Sequence, residues 1–77
     1  MLMDALEERL LRELANGGQL RADELARRIQ ARNWVDLSTA LLQLTAKGYV
    51  TVVGPLGRPS TRYRAHPQGL AALDTAS

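Results

Sequence analysis

A glycine separates two sequence patterns that cannot belong to one element. Before Gly48, the apolar residues Leu37, Leu41 and Leu44 recur at helical spacing. After it, residues 49–53 are rich in β-branched and aromatic side chains, as expected of a strand. Because glycine readily adopts the left-handed conformation that ends a helix, Gly48 is predicted to stop a helix and to lead the chain into a sheet.

A second strand pattern follows, and together the two predict a β-hairpin. Residues 61–65 alternate with a period of two, and residues 54–60 between the strands are rich in glycine and proline. Tyr49 and Tyr63 are expected to pair across this hairpin and to support the core. Beyond it, Pro67 occupies the first position of a predicted short final helix.

Two predicted helices precede the one that Gly48 ends. Leucines at helical spacing predict the first helix over about residues 4–16, before a pair of glycines. Residues 19–21 form a short connector, with one rung of sheet as the alternative. Residues 22–30 begin with acids and end with arginines, which suits the helix dipole and predicts the second helix. Asn33 is expected to cap the third helix, and the short connection before it makes the last two helices a helix-turn-helix.

Size and composition favour one small core. The chain has 77 residues, of which 45% are hydrophobic, and it has no cysteine. We therefore predict a single domain over residues 1–77, without disulfides or thiolate metal sites. No apolar run approaches the roughly 18 residues that would span a membrane, so we expect a cytoplasmic protein without a membrane partner.

Catalytic and metal-binding chemistry are not expected. The single histidine, His66, has no acidic residue near it in the sequence and no cysteine to join it. The chain has neither a glycine-rich phosphate loop nor a recognisable pair of nucleophile and base. We therefore expect no enzyme activity, no metal and no cofactor.

Positive charge is concentrated in the second half of the chain. The net charge is +2, but residues 1–20 sum to −2, whereas residues 47–64 hold four basic residues and no acid. Nine of the ten basic residues are arginines, whose planar guanidinium groups make forked contacts with phosphate and guanine. A GC-rich genome that favours arginine codons is the alternative explanation for the arginine bias. The distribution of charge itself favours an anionic partner such as nucleic acid.

Four stretches of the chain carry a resemblance to a known family. They are Asp23-Glu24-Leu25-Ala26, the run from Ser38 to Leu44, Gly48-Tyr49-Val50, and Arg62-Tyr63-Arg64, followed by Gly69 and Leu73. The chain resembles the winged helix-turn-helix of the MarR-like and PadR-like bacterial transcription regulators over about residues 4–74. The resemblance implies an α+β fold that is mostly α, with a three-helix core, a two-stranded β-hairpin wing and a short C-terminal helix.

The resemblance also implies how such a chain would bind double-stranded DNA. The third helix would enter the major groove, and the wing would lie over the minor groove or the backbone. Arg32, in the turn before this helix, would lie near the backbone, and a role in solvation and in balancing the helix dipole is the alternative. Carried over position by position, the reading residues would be Asp36, Ser38, Thr39, Leu42 and Gln43, and the wing would contribute Arg58, Arg62 and Arg64.

The chain differs from the family pattern in two ways, and its wing arginines have an alternative role. The third helix has no basic residue before Lys47, and residues 1–77 include no pattern that we expect to form the longer dimerisation helices of the full-length regulators. A homodimer formed through the first or last helix would supply the second half-site. The wing arginines have an alternative role as charges that protect a solvated hairpin edge from aggregation.

The outer face of the third helix keeps a second hypothesis open. Val35, Leu42 and Ala46 lie nearly opposite the core stripe, and Trp34 lies at the helix start. Exposed apolar faces are typical of surfaces that bind another protein. The alternative function is therefore a winged-helix protein-interaction module, for example a phage-type inhibitor or adaptor of a host complex. In that case Trp34 would be an interface hot spot instead of a residue partly buried against the second helix.

Overall fold

A computed structural model describes residues 4–55 and 57–76 of the chain. In these ranges the elements follow the order α1 (Ala5–Gly17), β1 (Gln19–Arg21), α2 (Ala22–Arg28), α3 (Trp34–Ala46), β2 (Val50–Val53), β3 (Arg62–Ala65) and α4 (Pro67–Ala76). This is the mostly helical α+β architecture that the sequence predicts. None of the helices in the described ranges is long and apolar enough to cross a membrane.

Local capping groups fix the ends of α1 and α3. The Asp4 side chain accepts a hydrogen bond from the Glu7 N–H at 2.8 Å, which begins α1. The Asn33 side chain accepts one from the Val35 N–H, also at 2.8 Å, and begins α3. Gly48 has a φ of +78°, in the region that favours glycine. The predicted cap at Asn33 and the glycine stop are both confirmed.

The strands form one antiparallel sheet in the order β1-β3-β2. β2 and β3 form the predicted hairpin, and residues 19–21 pair with the other edge of β3, where Leu20 lies opposite Tyr63. The connector before α2 is therefore a third strand. Because a strand of three residues is not stable alone, β1 depends on β3 for its conformation.

The expected pairing of Tyr49 with Tyr63 is wrong. Tyr63 lies opposite Val52 of β2 and Leu20 of β1. Tyr49 precedes β2, and its carbonyl oxygen accepts a hydrogen bond from the His66 N–H at 2.9 Å. The register of the hairpin decides which side chains meet, and the loop between the strands fixes that register.

The core lies between the inner face of the sheet and the helices. Leucines dominate it, and burial of each contributes about 1.5–3 kcal/mol. Those that are at most 1% exposed are Leu10, Leu11 and Leu14 of α1, Leu25 of α2, and Leu37, Leu41 and Leu44 of α3. The buried leucine face of α3 therefore fixes which of its other side chains reach solvent.

α4 packs closely against the start of β2. A Cβ atom added to Gly69 would lie 2.3 Å from the carbonyl oxygen of Tyr49, so this position requires glycine. His66 caps the helix, because its Nδ1 accepts a hydrogen bond from the Gln68 N–H at 3.1 Å. The predicted helix start at Pro67 is confirmed.

Candidate nucleic-acid interface

The outer face of α3 is open to solvent and largely apolar. Val35 is 65% exposed and Leu42 is 54% exposed, and Ala46 lies on the same exposed face. Trp34 is also exposed, at 39%. The apolar face that the sequence predicts is thus accessible, and Trp34 at the helix start is accessible with it.

One flank of α3 faces the wing across a cleft of about 130 Å³. Trp34, Ser38 and Leu42 line the cleft from α3, and Arg58 lines it from the loop between β2 and β3. The other lining residues are Ala22, Leu41, Gly57 and Tyr63. The fold therefore brings two of the predicted DNA-reading residues and one predicted wing contact together with Trp34 of the predicted protein-binding set.

The other flank of α3 faces α1 instead. Asp36, Thr39 and Gln43 line a depression there that also includes Asp4. Asp36 and Arg32 line a second depression at the turn before α3. The predicted base-reading residues thus divide between two flanks of one helix, and only those on the wing flank share a cleft with the wing.

A buried hydroxyl organises the loop between β2 and β3, here called the wing loop (residues 54–61). The Thr61 hydroxyl accepts a hydrogen bond from the Arg58 N–H at 3.1 Å and donates one to the carbonyl oxygen of Pro55. The Thr61 N–H also donates to the Arg58 carbonyl oxygen at 3.1 Å. Thr61 is 2% exposed, whereas Arg58 is exposed. The hydroxyl thus lies inside the wing loop and Arg58 at its surface.

The wing loop is also fastened to the start of α2. The Ala22 N–H donates to the Thr61 carbonyl oxygen at 2.8 Å, and the Asp23 N–H donates to the Pro59 carbonyl oxygen at 2.9 Å. Both donors belong to the first turn of α2, where a helix has no acceptors of its own for its N–H groups. The wing loop therefore caps α2, which links the wing to the helix-turn-helix.

Arg62 and Arg64 share the outer face of the sheet, as the sequence predicts. Both are exposed, while Tyr63 between them is buried. Arg62 lies directly opposite Arg21 of β1, an arrangement that is unfavourable for two like charges. The Asp23 carboxylate offsets the charge of Arg21, because its Oδ1 lies 3.1 Å from Nε of Arg21.

Within the part of the chain that the structure describes, the ten basic side chains divide equally into partnered and unpartnered groups. Five bind a carboxylate or a backbone carbonyl, namely Arg9, Arg12, Arg21, Arg28 and Lys47. In residues 4–55 and 57–76, the other five side chains have no ion pair and no hydrogen bond, and these are Arg27, Arg32, Arg58, Arg62 and Arg64. Four of these five are predicted DNA contacts. The unneutralised positive charge therefore lies on the end of α2, the turn after it and the wing.

Lys47, just beyond α3, is held by an ion pair that the sequence analysis missed. Its Nζ lies 2.6 Å from Oε1 of Glu7, whose side chain is 1% exposed. From its position in the sequence, Lys47 belongs to the positively charged second half of the chain. The signal that could reveal the pair is the spacing of Glu7 with Leu11 and Leu14, because positions i, i+4 and i+7 share one helix face.

The cleft combines hydrogen-bond donors with apolar side chains. Burial raises the pKa of the Tyr63 phenol above its ordinary value of 10.0, so this group remains neutral at physiological pH. The part of the chain that the structure describes contains no group of three His, Asp or Glu side chains that could hold a metal ion. The exposed guanidinium of Arg58 and the apolar side chains of Trp34 and Leu42 are what the cleft offers to a partner.

Comparison with known proteins bears on the fold. No protein-family model matches the sequence, and no curated protein matches it. Among solved structures, the chain is similar to a mutant MarR from E. coli in complex with operator DNA, with a TM-score of 0.78 and 17% sequence identity. The match covers 92% of this chain and 51% of that one, so the chain spans about half the length of the MarR chain. The chain therefore has a MarR-like winged helix-turn-helix fold.

Proposed function

We propose that this chain binds double-stranded DNA and acts as a sequence-specific regulator of transcription. The observation that carries the proposal is the set of five arginines, on the end of α2, the turn and the wing, that have no ion pair and no side-chain hydrogen bond within the described residues. An arginine without a carboxylate partner is free to bind phosphate and to release the counterions that DNA holds. The similar MarR structure was solved with operator DNA, which agrees with this assignment of the shared fold.

α3 is the proposed reading element in the major groove. The hydroxyl of Thr39 and the amide of Gln43 supply hydrogen-bonding groups for base edges, and Leu42 supplies an apolar contact for the thymine methyl group. The Ser38 hydroxyl already donates to the Val35 carbonyl oxygen at 3.2 Å, but it still has lone pairs to accept a donor. α3 would thus contribute base discrimination more than charge.

The wing is the proposed electrostatic anchor. Arg58 lies at the surface of a wing loop that shares a cleft with α3, so one duplex could contact both. Arg62 and Arg64 extend the positive charge along β3. Contacts of this kind position a protein on the backbone or in a narrow minor groove.

A second copy of the chain is part of this proposal. A monomer with few phosphate contacts binds weakly, and a dimer would double those contacts on two half-sites. α4 offers one candidate face, because Leu70 is 42% exposed there. Sedimentation of the protein with and without duplex would measure the stoichiometry.

Fluorescence anisotropy tests the proposed function. A labelled random-sequence duplex and the DNA upstream of the protein's own gene are titrated with protein at two salt concentrations. We expect binding that weakens as salt rises and that is tighter for one sequence than for the other. Absence of binding at low salt would contradict the proposal.

The exposed apolar face of α3 supports one alternative, a winged-helix module that binds another protein. Val35 at 65% and Leu42 at 54% exposure are the observations that favour it. Under this alternative, Leu42→Asp abolishes binding of the partner while the fold is retained, and Arg58→Ala and Arg62→Ala leave it unchanged. Under the DNA-binding proposal, the two arginine variants lose affinity for duplex DNA.

A further inference from the structure

We propose that Thr61 is a positioning residue that holds Arg58 in place for phosphate contact, an inference that rests on the proposed DNA-binding function. Thr61 acts on the backbone of Arg58 through two hydrogen bonds, both at 3.1 Å. One joins the Arg58 N–H to the Thr61 hydroxyl, and the other joins the Thr61 N–H to the Arg58 carbonyl oxygen. These bonds fix the backbone of the residue whose side chain would reach the DNA.

The Thr61 hydroxyl also joins the two ends of the wing loop. It donates to the Pro55 carbonyl oxygen on the side of β2 while it accepts from Arg58 on the side of β3. A hydroxyl can do both, because it has one donor and two acceptor lone pairs. No other side chain in the described part of this loop makes a hydrogen bond. The cross-link is therefore specific to Thr61.

The backbone of Thr61 connects this cross-link to the helix-turn-helix. Its carbonyl oxygen accepts from the Ala22 N–H at 2.8 Å, at the first turn of α2. Arg58 in turn lines the cleft that includes Trp34 and Ser38 of α3. Thr61 therefore sets the position of Arg58 relative to the helix that would enter the major groove.

The burial of Thr61 separates its role from that of a contact residue. At 2% exposure the side chain cannot touch DNA in this fold. Any effect of its hydroxyl on affinity must therefore pass through the conformation of the wing loop. A loop that is ordered before binding loses less conformational entropy when the complex forms, which raises affinity.

A double-mutant cycle tests the inference. Thr61→Val keeps the branched shape and removes the hydroxyl, Thr61→Ser keeps the hydroxyl, and Thr61→Val is also combined with Arg58→Ala. Thr75→Val is the matched control, because the Thr75 hydroxyl donates to the Ala71 carbonyl oxygen within α4, away from the wing. Affinity for a random-sequence duplex at low salt is measured at a temperature where each variant is folded, as judged by circular dichroism.

We expect Thr61→Val to weaken binding by roughly three- to tenfold, the range that corresponds to ordering one loop side chain. We expect Thr61→Ser to restore affinity and Thr75→Val to leave it unchanged. When Arg58 is already alanine, Thr61→Val should cause no further loss. Exchange of the Arg58 amide proton should be faster in Thr61→Val, because that N–H loses its acceptor.

Three results would overturn the inference. Thr61→Val could bind as tightly as the wild type, or its loss could multiply with that of Arg58→Ala, or Thr61→Ser could fail to restore affinity. If Thr61→Val does not fold, Thr61→Ala is measured in the same cycle and judged by the same criteria. A wild-type protein that binds no duplex would instead refute the proposed function, and the inference with it.

Discussion

Arg58 is the residue on which the proposed binding depends most. It follows Gly57, which has a φ of +77°, and it lies exposed in the wing loop beside α3. Arg58→Ala should weaken binding to all duplex sequences and reduce the slope of log affinity against log salt by about 1, as expected for the loss of one phosphate contact. Anisotropy titrations over a range of salt concentrations measure both effects.

Arg12→Ala is the matched control for Arg58→Ala. Arg12 is also exposed, but its Nη2 lies 2.7 Å from Oε2 of Glu8 on α1. We expect Arg12→Ala to leave both affinity and salt slope unchanged. Equal losses in the two variants would show that general charge, and not the position of Arg58, governs binding.

The burial of Tyr63 predicts that the stability of the fold decreases at high pH. Burial raises the pKa of its phenol above the ordinary value of 10.0, so at high pH the folded state retains a proton that the unfolded state has lost. Its contribution to stability is fully present below pH 10 and declines as the pH rises above that value. Tyr63→Phe should therefore lose less stability than the wild type between about pH 8 and about pH 11. Urea unfolding at both pH values measures this, and an identical pH dependence in the two proteins would contradict it.

The ion pair between Glu7 and Lys47 fixes the end of α3 on α1. The Glu7 side chain is 1% exposed and the Lys47 side chain is 37% exposed. Loss of Lys47 would therefore leave the Glu7 carboxylate buried without a counter-charge. Lys47→Met should lower the free energy of unfolding by about 1–3 kcal/mol, the cost of an unsatisfied buried acceptor. Glu7→Gln combined with Lys47→Met should recover part of that loss, because the buried charge is removed. Urea unfolding of each variant measures these changes.

A surface pair on the same helix provides the control for this prediction. Arg12→Met breaks an exposed i, i+4 pair with Glu8, which should cost about 0.5 kcal/mol or less. A Lys47→Met variant no less stable than Arg12→Met would show that the Glu7 carboxylate is satisfied without Lys47.

The helices and the hairpin could be predicted from the sequence because their signals are local. Asp4 and Asn33 cap helices through residues two or three positions away, and Gly48 stops α3 by its own conformation. β1 could not be predicted with certainty, because a strand at residues 19–21 exists only through pairing with β3. Tyr63 was assigned the wrong partner for the same reason, since register depends on the whole hairpin.

The exposure of the wing arginines could be predicted from the sequence, but the arrangement of the candidate site could not. Arg58, Arg62 and Arg64 are exposed as expected. The sequence does not reveal that Thr61 links the wing loop to α2, because its carbonyl oxygen accepts a hydrogen bond from the Ala22 N–H, about 40 positions away in the chain. The inward alternation of Thr61 with Tyr63 is the only local signal of its burial.

For the whole molecule, the distribution of ion pairs limits the salt dependence. Five arginines are unpartnered in the described residues, and each neutralised phosphate contributes about 0.9 to the slope. The slope of log affinity against log salt should therefore not exceed about 4.5 in magnitude per bound chain, which is five times about 0.9. A steeper slope would mean that partnered cations such as Arg28 exchange their carboxylates for phosphates. Anisotropy at several salt concentrations, with the stoichiometry known from sedimentation, gives this number.

The most direct test of DNA binding by α3 and the wing is to map where duplex DNA touches the protein. Amide NMR spectra of isotopically labelled protein, recorded during titration with a short duplex, report the environment of each backbone N–H. If α3 and the wing bind DNA, the largest shifts fall in α3 and in the wing loop around Arg58, with little change in the amides of α1. Shifts confined to α1 or α4, or spectra unchanged by duplex at low salt, would contradict the claim that α3 and the wing form a DNA-binding surface.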